Sequence, residues 1–214
     1  MRKVTRLARD PQKEMRIIDE AMTEFAANGY HKTRVEDIAD NADVSKGLVF
    51  KYYESKSQLY LTVLKEATER VMSVADLHVW QNSEDLVAMI INATQYKIKL
   101  QLKFQKEFKV LLDAYVRSNQ LPEEARHYVK DNLIDNAALQ NEITGPVLAR
   151  IKLKPGVRRE DVYEMLNLIQ GSYSVKIQQY LAAHPDMNNI EDMDDLIGTL
   201  TRYLEIFEHG FSAD

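Results

Sequence analysis

The sequence predicts an all-α protein of about nine helices, with a three-helix head at the N-terminus and a larger helical body behind it. Three observations carry this. Glycine (7) and proline (5) are scarce among 214 residues, while good helix formers are plentiful. Apolar residues recur at helical spacing along the chain. No stretch shows the period-two alternation of a strand.

The elements follow in order. Pro11 opens a helix whose apolar stripe is Ile18, Ala21, Met22 and Phe25. Asn28-Gly29 stops it, because glycine tolerates the left-handed conformation found there. Thr33-x-x-Glu36 has the form of a capping box and predicts a short second helix burying Val35, Ile38 and Ala39. Asn41 to Val44 is a turn, and Ser45 caps a third helix running to about Tyr53. Ser55-x-x-Gln58 starts a long helix through Leu59, Val63, Leu64, Val71 and Val74 towards Trp80. Residues 83–118 read as two helices with no Gly or Pro to mark the break. Leu121-Pro122 begins another, which Gly145-Pro146 interrupts or kinks. Lys154-Pro155-Gly156 is a loop. Asp161 to Ala183 is an amphipathic helix ended by His184-Pro185, and a last helix spans about Asp192 to Glu208.

Charge is divided unevenly. The net charge is −5, but residues 1–65 hold 12 Lys and Arg against 10 Asp and Glu, a balance of +2, leaving 16 against 23, or −7, for the rest. Arg2, Lys3, Arg6 and Arg9 form a basic arm without an acid among them. A basic arm on a mildly basic head, joined to an acidic body, suits a DNA-contacting head on a larger domain of another function. The absence of cysteine excludes disulfides and thiolate metal sites. It also fits a reducing, cytoplasmic setting. No apolar run reaches membrane-spanning length, and the N-terminus lacks the apolar core of a signal peptide.

Thr33 to Lys56 is the most telling segment. Val35, Ile38, Ala39, Val44, Val49 and Tyr53 can hold two helices together. That leaves Ser45, Lys46, Gly47, Leu48, Phe50, Lys51 and Tyr52 on an outer face. Cations, a glycine and large apolar groups mixed on one face suit a DNA groove better than a core.

At these residues the chain resembles the tetracycline-repressor (TetR) family of bacterial transcription regulators. The resemblance runs through Phe25, Gly29-Tyr30, Thr33, Val35, Ile38-Ala39, Val44-Ser45-Lys46-Gly47, Tyr52-Tyr53, Lys56 and Leu59, without a gap across about residues 12–65. It implies an arm and helix-turn-helix head over 1–56, with the recognition helix at about 45–53, and an effector-binding, dimerising domain over 57–214. It also implies a homodimer on a near-palindromic operator in double-stranded DNA, most often as a repressor released by a small-molecule effector, with no cofactor. Regulators of this kind often control their own and neighbouring genes. The implied DNA-contacting residues are Thr33, Arg34, Ser45, Lys46, Gly47, Leu48, Phe50, Lys51, Tyr52 and Lys56. Lys51, Tyr52 and Lys56 resemble phosphate contacts, and Gly47 allows close approach. Leu48 and Phe50 stand where the family more often has a small polar residue and a tyrosine. Neither can hydrogen-bond a base edge, so thymine methyls are their natural partners.

In the body the resemblance implies a partly apolar effector pocket. Trp80, Met89, Tyr96, Phe104, Phe108, Tyr115 and Tyr128 are the candidates to line it. The last two helices resemble the family's dimer bundle. Val162, Leu166, Ile169, Tyr173, Ile177 and Tyr180 form one seam, and Leu196, Leu200, Tyr203, Leu204 and Phe207 the other.

Enzyme chemistry finds little support. The sequence has no Gly-rich phosphate loop and no recognisable nucleophile motif, so no catalytic residue is assigned. His127 lies four residues from both Glu123 and Asp131, which suits a solvated helix face better than a metal site, and no metal ligand is assigned. The competing reading is a helical ligand-binding protein or enzyme whose head no longer binds DNA. Such a chain would shift no duplex above the non-specific level.

Overall fold

In a computed structural model of the chain, residues 9–134, 137–184 and 193–211 are described. They contain eleven α-helices: α1 Pro11–Lys32, α2 Val35–Asn41, α3 Lys46–Tyr53, α4 Lys56–Met72, α5 His78–Gln81, α6 Leu86–Lys103, α7 Gln105–Val116, α8 Glu123–Val129, α9 Ala137–Arg150, α10 Arg159–Ala183 and α11 Asp194–Phe211. The all-α class is as the sequence predicts. Two elements account for the difference from about nine helices. The chain turns after Met72 and forms the short α5 instead of continuing α4, and the predicted helix after Pro122 is divided into α8 and α9.

The local starts and stops have identifiable causes. The Asp10 carboxylate caps α1 by accepting from the amides of Gln12 (3.0 Å) and Lys13 (3.4 Å). Gly29 at φ 67° takes the chain out of helical conformation near the end of α1. A Cβ there would also lie 3.2 Å from Asp113 Oδ2 on α7, so both conformation and space call for glycine. The unmarked break between α6 and α7 falls at Phe104, whose φ −121° and ψ 51° are not helical.

Pro146 does not break its helix. It sits inside α9 and leaves the Glu142 carbonyl without its usual amide partner. Gln81 Nε2 on α5 donates to that carbonyl at 3.1 Å, which makes the proline tolerable. The interruption falls earlier, where the chain widens into a π-helical turn over Lys130–Ile134.

Two apolar cores hold the fold. The first joins α1, α2 and α3 to α4, α7 and α8 through Phe25, Ile38, Val49, Tyr60, Val110 and Ala125, among others. Phe25 and Tyr60 meet edge to face with ring centroids 4.7 Å apart. This core is continuous across Lys56, from the head into the helices behind it. The second joins α5, α6, α9, α10 and α11 through Trp80, Leu86, Leu148, Leu166 and Leu204. Near the C-terminal end of α4, Arg70 reaches three carboxylates: Asp19 on α1 (2.7 Å), Glu66 on its own helix (2.8 Å) and Glu107 on α7 (3.5 Å). No described helix is long and apolar enough to cross a membrane.

Candidate nucleic-acid interface and ligand cavity

The turn between α2 and α3 is set by its backbone. Asp43 adopts φ 52°, and the Val44 amide donates to Ala39 O at 3.0 Å, folding the chain back on α2. Ser45 then caps α3 by accepting from the Leu48 amide at 3.2 Å. With that start, Val49, Tyr52 and Tyr53 face inward. Lys46, Gly47, Phe50 and Lys51, at i, i+1, i+4 and i+5, face solvent.

The exposed face offers specific chemistry. A Cβ at Gly47 would find only Ser45 Oγ at 3.9 Å, so the surface there is open to close approach. Phe50 is 37 % exposed, with Lys46 Nζ 5.6 Å from its ring centroid. Lys46 is paired with Glu36 on α2. That hydrogen bond holds the Glu36 carboxyl below its ordinary pKa. Lys51 and Arg34 are exposed. Leu48 is half-buried against the head core, so only part of it remains outside.

Three expected contacts are corrected by the packing. Thr33 is 3 % exposed, and its hydroxyl donates to the carbonyls of Gly29 (2.8 Å) and Glu24 (3.1 Å). It closes the end of α1; α2 starts at Arg34 without a side-chain cap, so the Thr33 capping box does not form. Tyr52 is 8 % exposed rather than outward, and its hydroxyl accepts from the Asp10 amide at 3.0 Å. Lys56 donates to His31 O at 3.2 Å and lies 4.8 Å above the Tyr30 ring, and burial lowers its pKa. Its charge is spent on the end of α1 rather than held out to a phosphate.

Arg9 has a place that its membership of a basic arm does not reveal. Its guanidinium donates to the Tyr52 carbonyl at the last turn of α3 and lies 5.6 Å and 5.2 Å from the Tyr52 and Tyr53 ring centroids. It also pairs with Glu14 at 2.6 Å. Arg9 thereby fastens the start of α1 to the end of α3. Arg2, Lys3 and Arg6 lie outside the described residues.

The body contains a cavity of about 450 Å³ between α4, α5, α6, α7, α9, α10 and α11. Trp80, Met89 and Phe108 line it, together with Val71, Met72, Lys97, Leu133, Ile143, Tyr173, Ile177 and Leu200. The other four expected aromatics stand outside the lining. Tyr96 bonds the Asp76 amide at 2.9 Å and braces Trp80 edge to face. Phe104 forms the α6–α7 corner, Tyr128 packs on the first core, and Tyr115 is half-buried on α7. Helical spacing identified apolar positions but not which side of each helix the cavity would take. Lys97 was missed, although its place on the stripe Ile90, Ala93 and Leu100 was readable.

The proposed dimer seam also divides. Val162 (3 %), Leu166 (1 %), Tyr173 (4 %) and Leu196 (8 %) are buried within their own chain, and Tyr173 donates to the Leu196 carbonyl. Ile177 and Leu200 line the cavity, while Phe207 is half-buried on the second core and Tyr180 and Ile169 are half-buried on α10. Of the seam, Tyr203 is exposed. The outward apolar face consists of Met165, Leu168 and Val175 on α10, with Tyr203 and Ile206 on α11. The regular seam seen in the sequence is the one that closes each helix onto its own domain, which takes the stronger stripe.

With this geometry in place, the comparisons are specific. Residues 17–63, spanning α1 to most of α4, match the family described as bacterial regulatory proteins, tetR family. The head of this chain is thus similar to that of the tetR family. It is similar to the HTH-type transcriptional regulator RutR of Escherichia coli K12, 28% identical over 142 residues, or 66% of this chain and 58% of that protein. The matched part thus spans under two thirds of that relative. The HTH-type transcriptional activator FasR of Mycolicibacterium smegmatis is 36% identical over 72 residues, covering 34% of this chain and 32% of FasR. In fold, the chain is similar to a TetR-family structure from Mesorhizobium loti, with a TM-score of 0.63 and 16% identity over 97% of this chain and 100% of that one.

Proposed function

We propose that this chain is a cytoplasmic, ligand-responsive transcription regulator of the tetR family that binds a near-palindromic operator as a homodimer. The observation that carries the reading is the outer face of α3, where Lys46, Gly47, Phe50 and Lys51 are presented by a rigidly braced helix. Lys51 and Arg34 supply phosphate contacts, Lys46 exchanges Glu36 for the nucleic acid, and Gly47 lets the backbone approach. Phe50 and the outer part of Leu48 meet thymine methyls. Repression is the favoured sense, because a dimer seated on a promoter occludes it.

The division of labour is an arm and head through residue 56 and an effector-binding, dimerising body from residue 57. A ligand in the body cavity reaches the head through α4. Val71 and Met72 of that helix line the cavity, while its Leu59 and Tyr60 are buried in the head core. A shift in α4 would change the spacing of the two heads and so the population competent for DNA. The exposed apolar face of α10 and α11 is the surface for the second copy.

Selection of duplexes from a random pool, followed by gel shift, tests the reading. The expected result is an inverted repeat bound in a steeply salt-sensitive way and present in the DNA flanking the coding region. Leu168→Glu combined with Ile206→Glu should give a monomer by sedimentation and abolish the shift. A chain that enriches no sequence, or binds as a monomer, overturns the proposal. Turnover of a substrate unaffected by Lys51→Ala would support the competing reading of an enzyme with a silent head.

A further inference from the structure

Resting on the reading of the body cavity as an effector site, we propose that its ligand is an amphipathic monocarboxylate. The carboxylate pairs with Lys97, and the apolar body lies among the surrounding helices. Lys97 belongs to α6, where Ile90, Ala93, Lys97 and Leu100 fall at i, i+3, i+7 and i+10 and all line the cavity. A lysine on an apolar stripe ordinarily extends its ammonium past the stripe to bulk water. Here the ammonium is enclosed by protein, yet much of the side chain remains accessible. Both hold because the surface it faces is the cavity itself.

The ammonium has no carboxylate or carbonyl partner among the described residues, and burial pushes its pKa down. Among the described residues, none that lines the cavity is acidic. An ammonium set among apolar walls is poorly matched by them, so the cavity suits a molecule that brings acceptor oxygens and negative charge. An uncharged ligand would leave the ammonium unpaired, and a cationic one would be repelled. A phosphate monoester carries about −1.5 to −2 charges, more than one lysine neutralises in an apolar enclosure. A carboxylate matches one ammonium. The volume of about 450 Å³ suits a small, mainly apolar molecule.

The chain has one tryptophan, and it stands in the cavity wall, so its fluorescence reports on this site. The experiment titrates the full chain with decanoate and naphthoate, and with decanol and naphthalenemethanol as uncharged counterparts. The carboxylates should bind at least about tenfold more tightly than the matched alcohols, as expected for a charge-assisted hydrogen bond. Lys97→Met should erase that preference while leaving the alcohols unchanged or better bound, and Lys97→Arg should keep it. Alcohols binding as tightly as carboxylates, no binding of either class, or an indifferent Lys97→Met each overturns the proposal. Gel shifts on the selected operator, run alongside, keep the two readings apart. Carboxylate binding without any duplex shift sinks the regulatory reading alone, and a duplex shift without carboxylate preference sinks the ligand class alone.

Discussion

The head core and the body cavity differ in how their helices fill the space between them. Around Phe25 the apolar side chains are buried in one continuous core, and the helix ends are tied off by Thr33, Ser45, Asp10 and Arg9. Around Trp80 the helices stand apart, and the Lys97 side chain lines the space they leave. The contrast teaches where each function can reside. On the proposed reading, a groove-reading helix must keep its geometry to a fraction of an ångström, which a buried apolar core behind it favours. On the same reading, a sensing cavity must instead leave room for a ligand.

The sharpest way to break this comparison is to damage the packed side. Phe25→Ala should cost about 3–5 kcal/mol, because a fully buried aromatic in contact with Tyr60 leaves a cavity that the helices cannot close. Its urea midpoint should fall accordingly, and a loss under about 1 kcal/mol would mean that the head core is as loose as the body. Next is Gly29→Ala, expected to cost about 1–2 kcal/mol from its positive φ alone, with Asp113 forced aside as well. A thermal midpoint equal to that of the parent would show that the α1 terminus is not fixed.

Smaller effects probe the exposed face. Lys51→Ala should weaken operator binding by about tenfold at low salt and reduce the salt slope by about 1. Glu36→Gln frees Lys46 and removes a nearby negative charge, so binding should tighten by roughly threefold. Weaker binding would show that the ion pair positions α3 rather than competing with DNA.

Alkaline pH distinguishes the packed side further. Burial pushes the Tyr60 phenol, and likewise Tyr53, above its ordinary pKa. The unfolded chain therefore loses these protons first, near pH ~10, and stability present below that falls as pH rises towards the folded values. Tyr60→Phe should flatten this decline, and, because its buried hydroxyl has no partner, should be neutral to slightly stabilising at pH ~7. An unchanged decline in stability above pH ~10 would place the effect elsewhere. The smallest change is expected on the cavity side. Trp80→Phe deletes a donor without an acceptor and should shift stability by less than about 1 kcal/mol.

Local rules in the sequence determined most of the head. Ser45 and Ser55 cap the helices they precede, Gly29 ends α1 for lack of a Cβ, and Val35, Ile38 and Val49 face inward because their spacing allows nothing else. Each depends on residues within a turn or two of itself. Tertiary packing decided the rest. Thr33 and Lys56 turned to the end of α1, because carbonyls brought there by the fold outcompete the partners nearer in sequence. Tyr52 turned inward because Arg9 and Asp10 arrive from the start of α1, more than 40 residues away along the chain. Pro146 stayed helical because Gln81 reaches its orphaned carbonyl. In the body, an apolar stripe can meet a neighbouring helix, a cavity or a second chain, and periodicity is the same for all three. Only the relative placement of α6, α10 and α11 separates Leu166 in the core, Leu200 on the cavity wall and Leu168 on the open face.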